Sequence, residues 1–493
     1  MTGMQSGRVS RRQFLRAGLA AGGGFALHGV LSASPARAAE AASLPSGASR
    51  PNVLFIAVDD LRTQLGCYGH GQTLSPAIDR VAAEGIVFGR AYCQVPVCGA
   101  SRASLMTGIR PDYAVKRFTD AGTRADKDVP DAATLGQHFK SHGYYTVSNG
   151  KIFHYKGDSA ASWSERPWRV HDYDTDGHGD WGAYHFDKIW LDPASKGKVN
   201  PKTGRGPYWE AADVPDEAYE DGRVAAKTIE DLRRLKAKNQ PFFLACGFSR
   251  PHLPFNAPKR YFDLYEPSKI DLADNRIGIA DKPKECTNSG EINSYSEIAG
   301  WPKDEAFHRQ ARWAYYACVS YVDAQIGKVM AELKALELDT NTIVVIWGDH
   351  GWHLGEHNFW GKHNTLNNAL QVPLIVRAPG FRGNRRTEAL VEFVDIYPSL
   401  CELAGLPHPA SHRLDGKSFV PLLTAPELAW KEAVFSEWHG GKAVKTDRYL
   451  YTEWASGSRM LFDHRTDPEE NVNIAGTAEH AEVTARLSRL LRP

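Results

Sequence analysis

Asn52-Val53-Leu54-Phe55-Ile56-Ala57-Val58-Asp59-Asp60 is the stretch on which the fold turns. It is an unbroken apolar run with β-branched side chains, ending abruptly in two carboxylates. A half-exposed strand would alternate polar and apolar residues, so an unbroken run reads as a parallel strand buried on both faces. The paired aspartates are costly at its end. Two carboxylates held together repel and resist ionisation unless a cation sits between them. Capping of a following helix is the competing reading of Asp59-Asp60.

Outward from this stretch the same pattern returns. Short apolar runs at 144–147, 242–248, 342–347 and 373–376 read as further buried strands. Between them lie helical patterns. One covers 75–84, with Pro76 in its first turn, and one runs from an Asp131 N-cap to Lys140 and stops at Gly143. Another covers 216–238, with Ala225, Ile229, Leu232 and Leu235 on one side. A long one at 305–336 is expected to be broken or bent once, and 394–403 is the next. Strands alternating with helices predict an α/β fold, a large mostly parallel sheet sandwiched by helices.

In such a sheet, ligands bind outside the carboxyl ends of the strands. Four of the expected strands end in polar clusters: Asp59 and Asp60; Lys151 and His154; His252; Asp349 and His350. Residues kept for solubility alone would be scattered over both ends. Three aspartates from two strands suit a hard divalent cation such as Ca²⁺ or Mg²⁺, with His350 as ligand or neighbour. Zinc competes, but no cluster of histidines stands beside the aspartates.

From 163 to 209 periodicity is lost, and the segment reads as a surface excursion bordering the cleft. Within it Asp172-x-Asp174-x-Asp176-Gly177 imitates an EF-hand loop. Ala183 occupies the position where a bidentate Glu is required, so that reading is rejected. From about 426 the pattern changes to short alternating strands, at 442–451 and 460–462, and a last helix at 479–491. This predicts a small C-terminal α+β subdomain with a short antiparallel sheet.

The chain of 493 residues is 42% hydrophobic and 24% charged, an ordinary globular composition. Its 59 basic and 58 acidic residues leave a net charge of +1, which argues against nucleic-acid binding through bulk charge. Any anionic substrate must meet local cations. The seven cysteines form no C-x-x-C pattern; their odd number leaves at least one unpaired, and a disulfide or two is allowed but not assignable. Ser10-Arg11-Arg12-Gln13-Phe14-Leu15, an apolar run over 17–31 and Ala36-Arg37-Ala38 read as a twin-arginine signal. The run is too short, and too broken by glycines and His28, for a stable membrane anchor. The expected organisation is a signal at 1–38, a linker at 39–50, a catalytic domain at 51–425 and a subdomain at 426–493. The Tat export machinery is then a partner, and the periplasm or exterior the destination.

Cys98-Gly99-Ala100-Ser101-Arg102 sets a thiol and a guanidinium on one face of a short helix, at an N-terminus suited to anions. With the strand-end clusters, this segment resembles the C-x-P/A-x-R signature of type I sulfatases in the alkaline-phosphatase-like superfamily. Met106-Thr107-Gly108-Ile109-Arg110-Pro111 extends the resemblance. So do 52–60, 348–351 and 461–471, and the likeness covers nearly all of the mature chain. Within the family the likeness is greatest to the iduronate-2-sulfatases. It is carried by Gly150-Lys151-Ile152-Phe153-His154, by Arg250-Pro251-His252-Leu253-Pro254-Phe255, and by the 349–357 segment Asp-His-Gly-Trp-His-Leu-Gly-Glu-His.

The resemblance implies that Cys98 is converted to formylglycine by a formylglycine-generating or equivalent maturation enzyme. Cys93 has Val97 rather than an arginine four residues on, and is not the target. It implies one Ca²⁺, with Mg²⁺ second, held by Asp59, Asp60, Asp349, His350 and the modified Cys98. Lys151 and Lys362 would hold sulfate oxygens, and Arg102 would anchor the modified residue. His154 would assist release, and His252 would protonate the leaving sugar oxygen. Trp352 joins Lys151, His252 and Lys362 in substrate binding. Ala100 stands where many sulfatases have proline, which bears on the maturation enzyme. The function implied is hydrolysis of a sulfated saccharide, with a 2-O-sulfated uronic acid as the specific expectation. A phosphate or phosphonate ester hydrolase of the same superfamily and an inactive binder of sulfated glycans are the alternatives.

Overall fold

The computed structural model describes residues 50–170, 190–298 and 303–492. The expected signal, most of the linker and the 172–183 loop lie outside them. The first strand, β1 (Asn52–Val58), runs through the middle of an eight-stranded sheet. The others are β2 (Ile86–Tyr92), β3 (Tyr145–Gly150), β4 (Phe242–Phe248), β5 (Thr342–Gly348), β6 (Gln371–Val372), β7 (Leu374–Arg377) and β8 (Arg385–Glu392). β1 lies between β4 and β5, parallel to both, and β3 lies beyond β4. Val53, Phe55 and Ala57 feed one core, and Leu54, Ile56 and Val58 the other. This two-sided burial is what removes the polar residues from the run. Each buried Val, Leu, Ile or Phe side chain among them contributes about 1.5–3 kcal/mol, and Ala57 less.

Helices cover both faces. On one side lie α1 (Pro76–Glu84), α4 (Glu220–Lys238) and α5 (Glu305–Ala335); on the other lie α2 (Cys98–Thr107), α3 (Leu135–Ser141) and α6 (Ile396–Leu403). A four-stranded antiparallel sheet follows: β9 (Ala433–Trp438), β10 (Gly441–Thr446), β11 (Tyr449–Trp454) and β12 (Arg459–Asp463). The last helix is α7 (Ala481–Leu490).

Several expectations are corrected. The 373–376 strand runs antiparallel to β5 and β2, because the chain loops back at the edge it left instead of crossing over through a helix. Helix α3 is capped by Thr134, not Asp131. The Thr134 side chain accepts from the Gln137 N–H while Gln137 accepts from the Thr134 N–H, a reciprocal box that Asp131 cannot form. α5 is unbroken. The 442–451 run is two strands, turned at Asp447-Arg448. Trp163, at the start of the irregular segment, and Trp190, within it, are buried, not on the surface. All seven cysteines carry free thiols. Among the described residues, no helix is long and apolar enough to cross a membrane.

Candidate active site

The carboxyl edge of the sheet gathers the strand-end clusters in one place. At the end of β1, the Asp59 N–H donates to the Phe248 carbonyl at 3.1 Å, tying it to β4. Successive side chains of a strand point to opposite faces, which would separate Asp59 from Asp60. Instead Asp60 turns left-handed, with φ 57°, at a cost on the order of 1 kcal/mol. It is held there from both sides. Its N–H donates to Asp349 Oδ1 at 3.0 Å, and its carbonyl accepts from the Tyr315 hydroxyl at 2.8 Å. Both carboxylates therefore serve one site. At the end of β3, Gly150 has φ 70°, and a Cβ there would strike the Gly247 carbonyl. The Lys151 N–H donates to that carbonyl at 2.9 Å as the chain curls over the sheet edge.

Cys98 opens α2, whose ten residues are all buried and whose N-cap, Val97, has no side-chain acceptor. Its Sγ lies 3.3 Å from Asp59 Oδ1, 3.2 Å from His350 Nε2 and 3.5 Å from Lys362 Nζ. One turn on, Arg102 is fully buried. Its Nε donates to Asp349 Oδ2 at 2.9 Å, its Nη2 to Asp59 Oδ1 at 3.2 Å, and its Nη1 to the Lys151 and Ile152 carbonyls at 2.5 and 3.0 Å. The guanidinium thus fixes two aspartates and the Lys151 loop at once. Lys151 pairs with Asp59 Oδ2, and Lys362 with Asp60 Oδ1 at 2.7 Å. The loop after β5 returns Lys362 to the site through a short antiparallel pairing of His353–Leu354 with Trp360–Gly361.

Burial and charge divide the aspartates. Burial would raise the Asp59 carboxyl, but Lys151, His252 and Arg102 hold it well below the usual range. Burial pushes Asp60 well above that range, with Asp59, Glu291 and Asp349 adding to it against Lys362. Its Oδ2 is buried and accepts no hydrogen bond. Asp59, Cys98, Asp349 and His350 bring ligand atoms within 4.8 Å of one another, as do Asp60, Cys98 and His252. An orphaned carboxylate oxygen amid oxygen-rich donors fits a hard divalent cation, which would let both aspartates ionise. Burial, with Asp59 beside it, pushes the Cys98 thiol well up, and burial holds His350 down to about 4.

Further out, His252 Nδ1 meets the Leu253 carbonyl at 2.6 Å, and Nε2 lies 3.2 Å from Glu291 Oε1 and 3.9 Å from Asp60 Oδ2. Burial and Lys362 hold its imidazole well below the usual value. His154 is buried and is likewise held down, by burial and then Lys151. Trp352 is fully buried, with Lys362 Nζ 5.0 Å from its ring, so it backs the lysine. Sequence reasoning missed Glu291, Ser101 and Tyr315. Ser101 Oγ donates to the Asp349 carbonyl at 2.5 Å. Glu291 sits in an irregular stretch whose pattern carries no signal.

The sequence model described as Sulfatase matches residues 51–406, most of the chain and every residue of this cluster. The chain belongs to the sulfatase family. A second model, described as N-sulphoglucosamine sulphohydrolase, C-terminal, matches this sulfatase over residues 355–493. A sulfatase of Formosa agariphila is 32% identical over 472 residues, covering 90% of this chain and 86% of that one. Iduronate 2-sulfatase of Homo sapiens is 34% identical over 409 residues, covering 73% and 70%. Among solved structures, phosphonate monoester hydrolase of Agrobacterium radiobacter superposes with a TM-score of 0.71 at 23% identity, covering 90% of this chain and 95% of that one. At that identity it speaks to the fold alone.

Proposed function

We propose that this sulfatase removes sulfate from a sugar, with a 2-O-sulfated uronic acid as the expected class, using formylglycine made from Cys98 and a calcium ion. The observation that carries the reading is the position of Cys98 Sγ, in contact with Asp59, His350 and Lys362 at one buried edge. Asp59, Asp60, Asp349 and His350 would hold the ion. Calcium is preferred to magnesium because it accepts irregular all-protein ligand sets, whereas magnesium keeps its waters and an octahedral geometry. In place, the cation supplies charge stabilisation and the hydrated aldehyde an oxygen nucleophile.

The remaining work belongs to the chain's own side chains. Arg102 orients Asp59 and Asp349. Lys151 and Lys362 exchange carboxylate partners for sulfate oxygens. His252 has Nδ1 committed to the Leu253 carbonyl, so Nε2 is the position that would take up a proton and pass it to the leaving alkoxide. His154, beside Lys151, moves a proton in sulfate release. We further propose maturation in the cytoplasm followed by twin-arginine export to the periplasm or exterior.

Mass spectrometry of the Cys98 peptide from active enzyme tests this, with an aldehyde expected; an intact thiol in fully active protein overturns it. A phosphate or phosphonate ester would present a similar tetrahedral oxyanion to Lys151 and Lys362, so hydrolysis of phosphate or phosphonate esters is the second reading. Turnover of 4-nitrophenyl sulfate against 4-nitrophenyl phosphate and phenylphosphonate separates the two.

A further inference from the structure

Glu291 is an anion in a site built for anions. Its Oε1 lies 3.2 Å from His252 Nε2 and its Oε2 3.5 Å from Lys362 Nζ. A carboxylate there opposes the binding of sulfate. It is not needed to neutralise Lys362, which Asp60 already meets at 2.7 Å. Nor does it belong to either group of side chains that could share a cation.

The segment carrying it is firmly placed. Ile292 is fully buried, and the Glu291 N–H donates to Ser289 Oγ at 3.3 Å. Ser289 Oγ is 3.0 Å from His363 Nδ1, and Asn288 Oδ1 accepts from the Trp360 N–H at 2.8 Å. The segment is thus pinned to the turn that presents Lys362. The Glu291 side chain is 15% exposed, so it is largely desolvated yet reachable.

This inference rests on the sulfatase reading, in which His252 and Lys362 face the ester. In a sugar sulfate, the hydroxyl on the adjoining carbon lies within hydrogen-bond distance of the ester oxygen. A group that touches both His252 and Lys362 reaches that hydroxyl too. A carboxylate can only accept, and accepting from a hydroxyl in a desolvated place is a strong, charge-assisted bond. We propose that Glu291 forms a hydroxyl subsite. Its carboxylate accepts a hydrogen bond from the hydroxyl next to the sulfated carbon, and it repels a second sulfate at that position. The substrate class is therefore a sulfate monoester with a free vicinal hydroxyl, not a vicinal disulfate.

Minimal probes test this without knowledge of the sugar. They are trans-cyclohexane-1,2-diol monosulfate, cyclohexyl sulfate, trans-cyclohexane-1,2-diol disulfate and 4-nitrophenyl sulfate. The wild type should prefer the diol monosulfate to cyclohexyl sulfate by about tenfold or more in kcat/KM. Glu291→Ala should collapse that ratio toward one, whatever loss the probes share. Glu291→Gln, which keeps the volume and removes the charge, should raise the disulfate relative to the monosulfate. Ratios unchanged in both variants, including a uniform loss on every probe, overturn the proposal and leave Glu291 a positioning residue. A wild type with the aldehyde at position 98 that hydrolyses none of the four, 4-nitrophenyl sulfate included, overturns the sulfatase reading itself and the subsite with it.

Discussion

Two buried clusters of acids and bases differ in one respect. In the first, Glu392 takes Arg110 bidentately at 2.6 and 2.5 Å, Lys431 at 2.7 Å and the Phe435 N–H at 2.8 Å. Asp395 takes Lys431 at 2.6 and 2.7 Å and the N–H groups of Glu392 and Lys417 at 2.9 and 2.7 Å. Two carboxylates face two cations, every oxygen is used, and the cluster ties β9 to the main sheet. In the second, four carboxylates, Asp59, Asp60, Glu291 and Asp349, face three fixed cations, Arg102, Lys151 and Lys362. One oxygen of Asp60 is left over, on a residue with left-handed backbone. A cluster closed on itself serves stability. One left open at a sheet edge is shaped for something that arrives later.

The largest test of that contrast is Cys98→Ala. It should lower sulfate release by about 10⁴-fold or more while far-UV circular dichroism and melting stay near wild type. A small loss would mean that the open cluster works without position 98.

Asp60→Asn should cost about 10²- to 10³-fold in turnover. Wild type at calcium near a hundred times Kd should gain about 2.7 kcal/mol of stability, read by thermal melting. The variant should gain little from calcium and lose no stability without it, because it removes a buried charge that lacks a full set of partners. An equal calcium response in the two proteins would contradict the ligand assignment.

Glu392→Gln should do the reverse. Breaking a buried pair costs about 3–5 kcal/mol in denaturant unfolding, with kcat of the folded enzyme unchanged. Burial would raise the Glu392 carboxyl, but Lys431 and Arg110 hold it down to about 2 against an ordinary 4.5. A depressed carboxyl contributes its full stabilisation above pH 4.5, and that contribution is lost as pH falls toward 2. The variant should therefore lose less stability than wild type between pH 5 and 2. Thr134→Ala, outside both clusters, sets the small end of the scale at about 1 kcal/mol by chemical denaturation, through loss of the α3 cap.

Much of the central sheet was legible because burial on both faces strips polar residues from β1, β4 and β5 and leaves a strong local signal. Asp59, Asp60, Lys151, His252, Asp349 and His350 were legible for a related reason, since each follows a strand at the sheet's carboxyl edge. The direction of β7 was not legible, because an apolar run looks the same read either way. Nor was the α3 cap: Asp131 and Thr134 both suit the position, and only the reciprocal bond with Gln137 chooses. Glu291 left no trace, because an acidic residue in an irregular segment is indistinguishable from a solvated one until His252 and Lys362 are seen against it.

The sequence alone determined the strand–helix alternation, the acidic end of β1 and the Cys98-to-Arg102 spacing, because each depends on neighbours within a turn or a strand. The tertiary structure decided the left-handed turn of Asp60, the orphaned oxygen and the intrusion of Glu291. The bond that holds Asp60 in that turn comes from a residue 289 positions away, and no local pattern records a contact made only when distant strands lie side by side.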